Sequence, residues 1–426
     1  MAQHEPAYMR GGTKAVAVIK PFRGYRPRPD VVEKIASPPY DVMNSAEARI
    51  AAEGNPLSFL HVVKAEIDLD PSVDVHSEEV YNKSSENLQN LISDGLLIRD
   101  EKPSLYVYQQ KMGEHVQAGV VAGASVDEYQ NDLIKKHEHT RLDKENDRAR
   151  HIEILGANAG PVFLTYHSSG AIDEIVDKIR ETEPVYDFIA EDGIGHTLWV
   201  AGEEETTKLE NAFKEIPYLY VADGHHRSAA ASRVREIKKA ANANHTGEEQ
   251  YNYFLTVIFP DNQMQILDYN RVVKDLNSLT EEEFKKQVSI RFNMAPTDAP
   301  KPQEKGAYGM YLGGKWYRLQ AKPDTLTVGD PVASLDISIL QDNLLSPILG
   351  IKDPRTDSRI DFVGGIRGLK ELEKRCSEDA AVAFALYPTS ISELMDIADA
   401  GKVMPPKSTW FEPKLRSGIV VKKLEE

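Results

Sequence analysis

The chain has 426 residues, too many for one ordinary hydrophobic core, so its length predicts two domains or one large elaborated α/β unit. Its 67 Asp and Glu outnumber 51 Lys and Arg, and the net charge of −16 argues against nucleic-acid partners and anionic membranes, so any phosphate site must be a local basic pocket. A single cysteine, Cys376, excludes an internal disulfide and a cysteine-based zinc site; with no apolar run of membrane-spanning length and no signal peptide, we expect a cytoplasmic protein.

The first part of the chain contains alternating strand and helix patterns. An apolar run at residues 57–63 predicts a strand. Residues 77–93 predict a helix that ends at an Asp-Gly pair. Two alternating runs, 104–109 and 116–126, predict a hairpin because a short polar turn separates them.

The middle of the chain is organised around a strand, a tight turn and a helix. The apolar run 216–222 predicts a buried strand, and the small residues 228–232 predict a helix whose first turn contains Asp223 or Gly224. Further strands are predicted over 160–166 and 253–259.

The turn itself is the pentapeptide Asp223-Gly224-His225-His226-Arg227. A helix that begins directly after a strand points free backbone N–H groups at one place, which attracts anions. Two imidazoles add donors, and arginine can hold a phosphate through two N–H groups. The favoured interpretation is a phosphate-binding loop. The alternative is a turn whose polar residues cap the helix and form surface ion pairs.

A second concentration of polar residues lies at Lys136, His137, Glu138, Thr140 and Arg141. Glu138, held among cations, could take a proton from an alcohol. Lys136, His137 and Arg141 could neutralise phosphoryl oxygens, and charge neutralisation with positioning is most of what phosphoryl transfer requires.

The charged stretch continues into a predicted helix. Lys144, Asp147, Arg148 and His151 fall on one face of it, at helical spacing. This helix face either contributes to a site or is a solvated surface with ion pairs. A charged stretch of this kind is more often a solvated surface.

Metal binding has two candidate forms. A zinc site built from histidines is conceivable because His137, His139, His225 and His226 are available, but the sequence has neither cysteine ligands nor a His-Glu-x-x-His helix. Mg²⁺ held by Asp223 and by phosphate oxygens is favoured, because hard cations prefer oxygen ligands.

The patterns together indicate a mixed α/β protein. We predict three regions: an N-terminal α/β region (1–130), a core that carries the pentapeptide (131–294) and a C-terminal α/β region (295–426). The proline-rich stretch 295–306 is the best candidate for a linker or long loop.

Five motifs together resemble the domain-of-unknown-function family 1015, and they fall in the expected order along nearly the whole chain. They lie at residues 37–42, 59–62, 136–140, 222–227 and 404–411. The Asp-Gly-His-His-Arg motif is also similar to that of the free serine kinases, whose core resembles the fold of ParB and sulfiredoxin. The resemblance therefore implies a ParB/sulfiredoxin-like catalytic core elaborated by additional α/β segments.

This resemblance implies phosphorylation of free L-serine to O-phosphoserine with Mg²⁺, the donor being pyrophosphate, ADP or ATP. The residue roles that we expect divide into three groups. Catalysis is assigned to Glu138, Asp223 and His225, with Asp223 also holding the metal. Phosphate binding is assigned to Lys136, His137, Arg141, Gly224, His226 and Arg227. Substrate binding is assigned to Tyr40, Asp41 and Thr140.

Two alternative functions stay open at this point. One is a ParB-like nucleotide-binding switch or DNA partner without catalysis, which the charge of −16 and the lack of a helix-turn-helix pattern disfavour. The other is a metal-dependent hydrolase that uses the histidines. For the favoured kinase we expect no nucleic-acid and no membrane partner, and a homo-oligomer is possible.

Overall fold

A computed structural model describes residues 17–327 and 329–425 of the chain. The chain divides into two compact units. The first extends to Met264 and resumes at Pro413, and the second comprises Gln265–Glu412. The second unit is therefore inserted, in sequence, between two parts of the first.

The first unit has twelve described strands before the insertion and one short strand after it. The strands are β1 (Ile19–Lys20), β2 (Tyr25–Pro27), β3 (Leu97–Arg99), β4 (Tyr106–Met112), β5 (His115–Ser125), β6 (Ile134–Lys135), β7 (Ala157–Asn158), β8 (Val162–Tyr166), β9 (Tyr186–Ile189), β10 (Gly195–Val200), β11 (Leu219–Asp223), β12 (Tyr253–Pro260) and, after the insertion, β21 (Lys422–Lys423). The helices are α1 (Val32–Ile35), α2 (Ser45–Ala52), α3 (Leu60–Val63), α4 (Glu78–Ser93), α5 (Val126–Gln130), α6 (Leu142–Leu155), α7 (Gly170–Arg180), α8 (Glu203–Phe213) and α9 (His225–Ala241).

A nine-stranded mixed sheet forms the framework of the first unit, in the order β6-β11-β8-β12-β5-β4-β10-β9, with β1 paired to β5. The β6–β11 and β8–β12 pairs are parallel, whereas β8 and β11 are antiparallel. Every residue of β8 is buried, which is the pattern of a strand covered on both faces of a sheet.

Helices α6 and α9 pack against each other through small side chains. Ala149 and Ile152 of α6 share a buried cluster with Ala230 and Val234 of α9. Alanine at a helix contact lets two helix axes approach closely, so the Ala/Ser stretch that follows the Asp-Gly turn serves this packing. It thereby fixes the position of the α9 N-terminus.

The second unit is built on a six-stranded antiparallel sheet in the order β15-β17-β16-β19-β14-β18. Its strands are β13 (Ile266–Leu267), β14 (Tyr269–Val273), β15 (Phe292–Pro296), β16 (Ala307–Leu312), β17 (Lys315–Ala321), β18 (Ile360–Gly364), β19 (Val382–Leu386) and β20 (Trp410–Phe411). Its helices are α10 (Glu281–Arg291), α11 (Asp336–Leu340), α12 (Gly368–Glu378) and α13 (Ile391–Asp399).

The mixed α/β class is confirmed, and so are the predicted hairpin (β4 and β5), the helix over 77–93 (α4) and the strands β8, β11 and β12. The strand predicted over 57–63 is wrong, because Leu60–Val63 forms the short helix α3. An apolar run this short fits a buried helix as well as a strand, and here the Ser58 hydroxyl accepts the N–H of Leu60 at the start of the turn.

Residues 297–306 form a long loop rather than a linker between units, since β15, which includes residues 295 and 296, and β16 both pair with β17. The three-region division stays a prediction; residue 131 lies inside the first compact unit and residue 295 inside the second. In the described part of the chain, no helix is both long and apolar enough to cross a membrane.

Candidate functional site

The parallel pairing of β6 with β11 brings two distant parts of the chain together. Lys135 lies opposite Tyr220 in this ladder, and both strands then leave the sheet at the same edge. Residues 137–138 therefore emerge beside the turn at residues 223–224. The carboxyl ends of neighbouring parallel strands are where open α/β sheets commonly bind ligands.

The turn after β11 depends on glycine. Gly224 has φ 95° and ψ 30°, a left-handed conformation that is strained for residues with a β-carbon. Its N–H donates to Oδ1 of Asp223 at 2.8 Å, and α9 begins at the next residue. The first N–H groups of this 17-residue helix have no partner within the helix, so they are available to an anion.

Two buried imidazoles meet at the start of α9. His137 is 2% exposed and His225 is 5% exposed, and their Nε2 atoms lie 3.3 Å apart. Glu138 is exposed and completes the group, because one ligating atom from each of the three residues lies within 4.8 Å of the others. The structure thus brings together the predicted catalytic residues Glu138 and His225, which are distant in sequence.

Burial determines the charge of this imidazole pair. Burial lowers the pKa of His137 to about 4, although Asp223 acts in the opposite direction. Burial and the neighbouring His137 hold the pKa of His225 well below its usual value. Both rings are therefore neutral at pH 7. His137 can donate a hydrogen bond there, but it cannot supply the positive charge that its predicted phosphate-binding role invoked.

Asp223 forms an ion pair that the sequence analysis missed. Its Oδ2 atom lies 2.9 Å from Nζ of Lys414, which belongs to the segment that returns to the first unit. Burial favours the neutral form of Asp223, but Lys414 and Arg227 outweigh it and hold the pKa of this carboxyl below its usual range. Lys414 follows the 404–411 motif, but no local pattern places it opposite a residue 191 positions away.

Arg227 connects the turn to the N-terminal part of the chain. It donates to Oδ2 of Asp41 at 2.8 Å and to the carbonyl of Pro161, and its guanidinium lies 5.5 Å from the Tyr40 ring centroid. Arg148 lies 4.3 Å from the centroid of the same ring. The structure therefore places the predicted substrate-binding residues Tyr40 and Asp41 directly beside Arg227.

A small pocket of about 40 Å³ adjoins this group and is partly open to solvent. Arg148 and His151 of α6 line it, and so does Arg227 of α9. Its remaining lining residues are mostly apolar: Tyr40, Val63, Ile152, Asn158, Ala159, Gly160, Val162, Phe254 and Leu255. The interpretation of α6 as a wholly solvated ion-pair helix is wrong, because Asp147 and His151 are both buried.

The remaining predicted residues lie around the turn with other partners. The ammonium group of Lys136 donates to the carbonyl of Tyr129 at 3.0 Å and lies 2.6 Å from Asp132. Lys136 thus has polar partners outside the imidazole pair, while its charge still helps to lower the pKa of His225. The phosphate-binding role expected of Lys136 stays a prediction.

The other two residues of that segment contact the start of α6. Arg141 is exposed and pairs with Asp143 at 2.7 Å, while its backbone N–H donates to Nε2 of His226 at 3.2 Å. Thr140 donates to Glu145 at 3.3 Å. His139 and His226 lie outside the His137, Glu138 and His225 group, so the four-histidine zinc site is not assembled by the described residues.

His151 makes the pocket region sensitive to acid. Burial, reinforced by Arg148, lowers the pKa of His151 from 6.5 to about 4. Its stabilising contribution is complete above the unfolded pKa and is lost as the pH falls through the folded pKa, because the unfolded chain binds more protons in between. We expect the free energy of unfolding to fall by about 1 kcal/mol per pH unit in this window on account of His151. His151→Gln should remove this contribution to the pH dependence of the unfolding free energy. Urea unfolding of the wild type and the variant, from neutral pH to about pH 4, measures both dependences. Equal dependences would contradict the low pKa of His151.

Comparison with known proteins gives one family match. The family model described as "Protein of unknown function (DUF1015)" matches residues 19–338. No curated protein matches the chain.

Several solved structures are similar to the chain at low identity. A free serine kinase variant in complex with AMP is 11% identical, with a TM-score of 0.34, covering 69% of this chain and 87% of that one. SbnI with a C-terminal truncation, from Staphylococcus aureus, is 12% identical (TM-score 0.36; 68% and 82% covered). A conserved hypothetical protein from Pyrococcus furiosus is 14% identical (TM-score 0.33; 71% and 95% covered). At these scores no residue role is transferred from them.

Proposed function

Since this chain belongs to the DUF1015 family, whose description assigns no activity, we propose its function from the site: it is a small-molecule phosphotransferase. More specifically, we propose that it transfers a phosphoryl group to the hydroxyl of free L-serine and forms O-phosphoserine. The donor is a compact phosphoanhydride, for which pyrophosphate is the first candidate and ADP and ATP are the others.

One observation supports this proposal above the others. A carboxylate, Glu138, and a glycine turn at a helix N-terminus, Gly224, lie at the ends of two parallel strands that pair with each other. The turn offers backbone N–H groups to an anion, while the carboxylate can accept a proton. A site of this kind supplies the positioning and charge stabilisation on which phosphoryl transfer depends.

The proposed roles follow from the contacts. Arg227, His226 and the N–H groups that follow Gly224 bind the phosphoryl group. Arg227 has five N–H donors. Pro161, Asp41 and Tyr40 engage some of them, and the others can bind a ligand. Asp223, held by Lys414, orients the turn and the incoming hydroxyl.

The proposed reaction exchanges one oxygen–phosphorus bond for another. The serine hydroxyl oxygen forms a bond to the donor phosphorus while the bridging P–O bond breaks, and the hydroxyl proton passes to Glu138. The leaving group is inorganic phosphate from pyrophosphate, AMP from ADP, or ADP from ATP. Serine is the candidate acceptor because the Asp-Gly-His-His-Arg motif is similar to that of the free serine kinases.

Mg²⁺ is the proposed cofactor, and the carboxylate of Asp223 is the oxygen donor proposed to hold it. A magnesium ion characteristically binds through one or two carboxylates together with substrate phosphates. When bound, it neutralises charge on the donor phosphates. Asp223 already accepts hydrogen bonds on both oxygens, so the substrate must supply most of the ligands.

A direct assay tests the proposal. Purified full-length protein is incubated with L-serine, Mg²⁺ and each donor in turn, and phosphoserine is measured by mass spectrometry, with donor-free and serine-free reactions as controls. We expect phosphoserine with at least one donor. Its absence with all three donors would refute the serine kinase assignment.

A further inference from the structure

The imidazole pair has a geometry that the proposed kinase reaction does not require. The Nε2 atoms of His137 and His225 face each other at 3.3 Å, with the rings nearly perpendicular at 87°. Two nitrogens bound to one tetrahedral zinc ion at 2.0–2.1 Å lie about 3.3–3.4 Å apart. The spacing therefore equals that of two ligands that share a metal.

The rings of His137 and His225 have few polar partners. The Nδ1 atoms of His137 and His225 are buried, and neither has a hydrogen-bond partner among the described residues. His137 has one further polar contact, with the backbone of Val221. An ion bound by both Nε2 atoms requires each Nδ1 atom to carry the proton, so the support for the ion is the spacing of the Nε2 atoms and not the unpaired Nδ1 atoms.

Glu138 provides a third ligand and leaves the site open. Its carboxylate lies within 4.8 Å of the ligating atoms of both histidines, and the residue is exposed. Two imidazoles and one carboxylate are a common set for zinc and related ions, with a fourth position left for water or substrate.

We propose that His137, Glu138 and His225 form a binding site for a divalent ion of the zinc class. The donor set differs from that of the proposed magnesium ion, because imidazole nitrogen favours Zn²⁺ and Co²⁺ whereas magnesium favours oxygen. A plain imidazole–imidazole hydrogen bond is the competing explanation of the 3.3 Å contact, and metal titration distinguishes the two.

This ion would compete with the proposed catalysis. A zinc-class ion bound to Glu138 withdraws charge from the carboxylate and makes it a weaker acceptor for the serine proton. Therefore we expect Zn²⁺ to inhibit phosphoserine formation and a chelator to reverse the inhibition. Only this consequence rests on the proposed function; metal binding does not.

Binding is tested with full-length protein from which metal has been removed by a chelator. The protein is titrated with Co²⁺, and binding is followed by the visible absorption of the bound Co²⁺. A second titration measures Zn²⁺ affinity in competition with a chromophoric chelator. We expect one equivalent to bind. His137→Gln and Glu138→Gln should each weaken binding by at least about tenfold, since even groups that only support a metal ligand change affinity by about 10- to 100-fold. His139→Gln is the matched control, because His139 is exposed, two residues from His137 and outside the group; its binding should equal that of the wild type.

Each outcome decides the inference. Glu138→Gln remains informative if His137→Gln fails to fold, because residue 138 is exposed. Absence of stoichiometric binding overturns the proposal, and so does wild-type affinity in Glu138→Gln. A loss in His139→Gln as large as in His137→Gln would place the ion elsewhere. Should no phosphoserine form at all, the kinase proposal fails while these binding measurements still decide the metal site.

Discussion

Replacing Glu138 with glutamine should reduce phosphoserine formation by about 10²- to 10⁴-fold, the usual contribution of a positioned general base. The substitution preserves the shape of the side chain and removes its ability to accept a proton. Because the residue is exposed at the edge of the sheet, the fold should not change. The rate constant is measured under saturating serine and donor, with circular dichroism as a check on folding.

Glu114→Gln is a suitable control for this experiment. Glu114 is also exposed, and it lies in the turn between β4 and β5, away from the edge where β6 and β11 end. The control should retain wild-type activity. A Glu138→Gln enzyme that keeps more than about a third of the wild-type rate would remove Glu138 from the role of base.

Arg227→Lys should lower kcat/KM by about 10²- to 10³-fold, comparable to the loss of one donor to the developing charge in a transition state. The guanidinium contacts Asp41, the carbonyl of Pro161 and the face of Tyr40 at once, which fixes its plane. An ammonium group has no plane and cannot reproduce these contacts while also binding a phosphoryl group.

Arg233→Lys, on the same helix, is the control. It shows whether replacing any arginine of this helix with lysine lowers the activity. Arg233 is 44% exposed in its side chain and interacts with Glu145 and Asn146. We expect its activity to be unchanged. Two results would indicate that Arg227 has only a structural role. One is a similar loss of activity in both variants. The other is a loss of activity in Arg227→Lys that matches a fall in its stability to urea.

Local signals made the core of the site predictable. The strand before Asp223, the turn at Gly224 and the helix after it each follow from neighbouring residues, and the structure has all three. The meeting of Glu138 with His225 was inferred from the chemistry of the two motifs, and it is realised through the parallel pairing of β6 and β11.

The residues that escaped prediction depend on contacts between distant segments. Lys414 reaches Asp223 only because the chain returns to the first unit at Pro413. The partners of Lys136 are the carbonyl of Tyr129 and the carboxylate of Asp132, and its charge alone does not reveal them. The neutral state of His137 depends on burial, which adjacent sequence does not determine.

The ion pair between Asp223 and Lys414 has a consequence for the order of events during biosynthesis. The ribosome must make all of residues 265–412 before Lys414 exists, so a nascent chain that has just exposed the Asp-Gly turn cannot form this contact. During that interval Asp223 lacks its cationic neighbour from the returning segment. Its carboxylate therefore acquires that electrostatic environment only after the inserted unit has been translated.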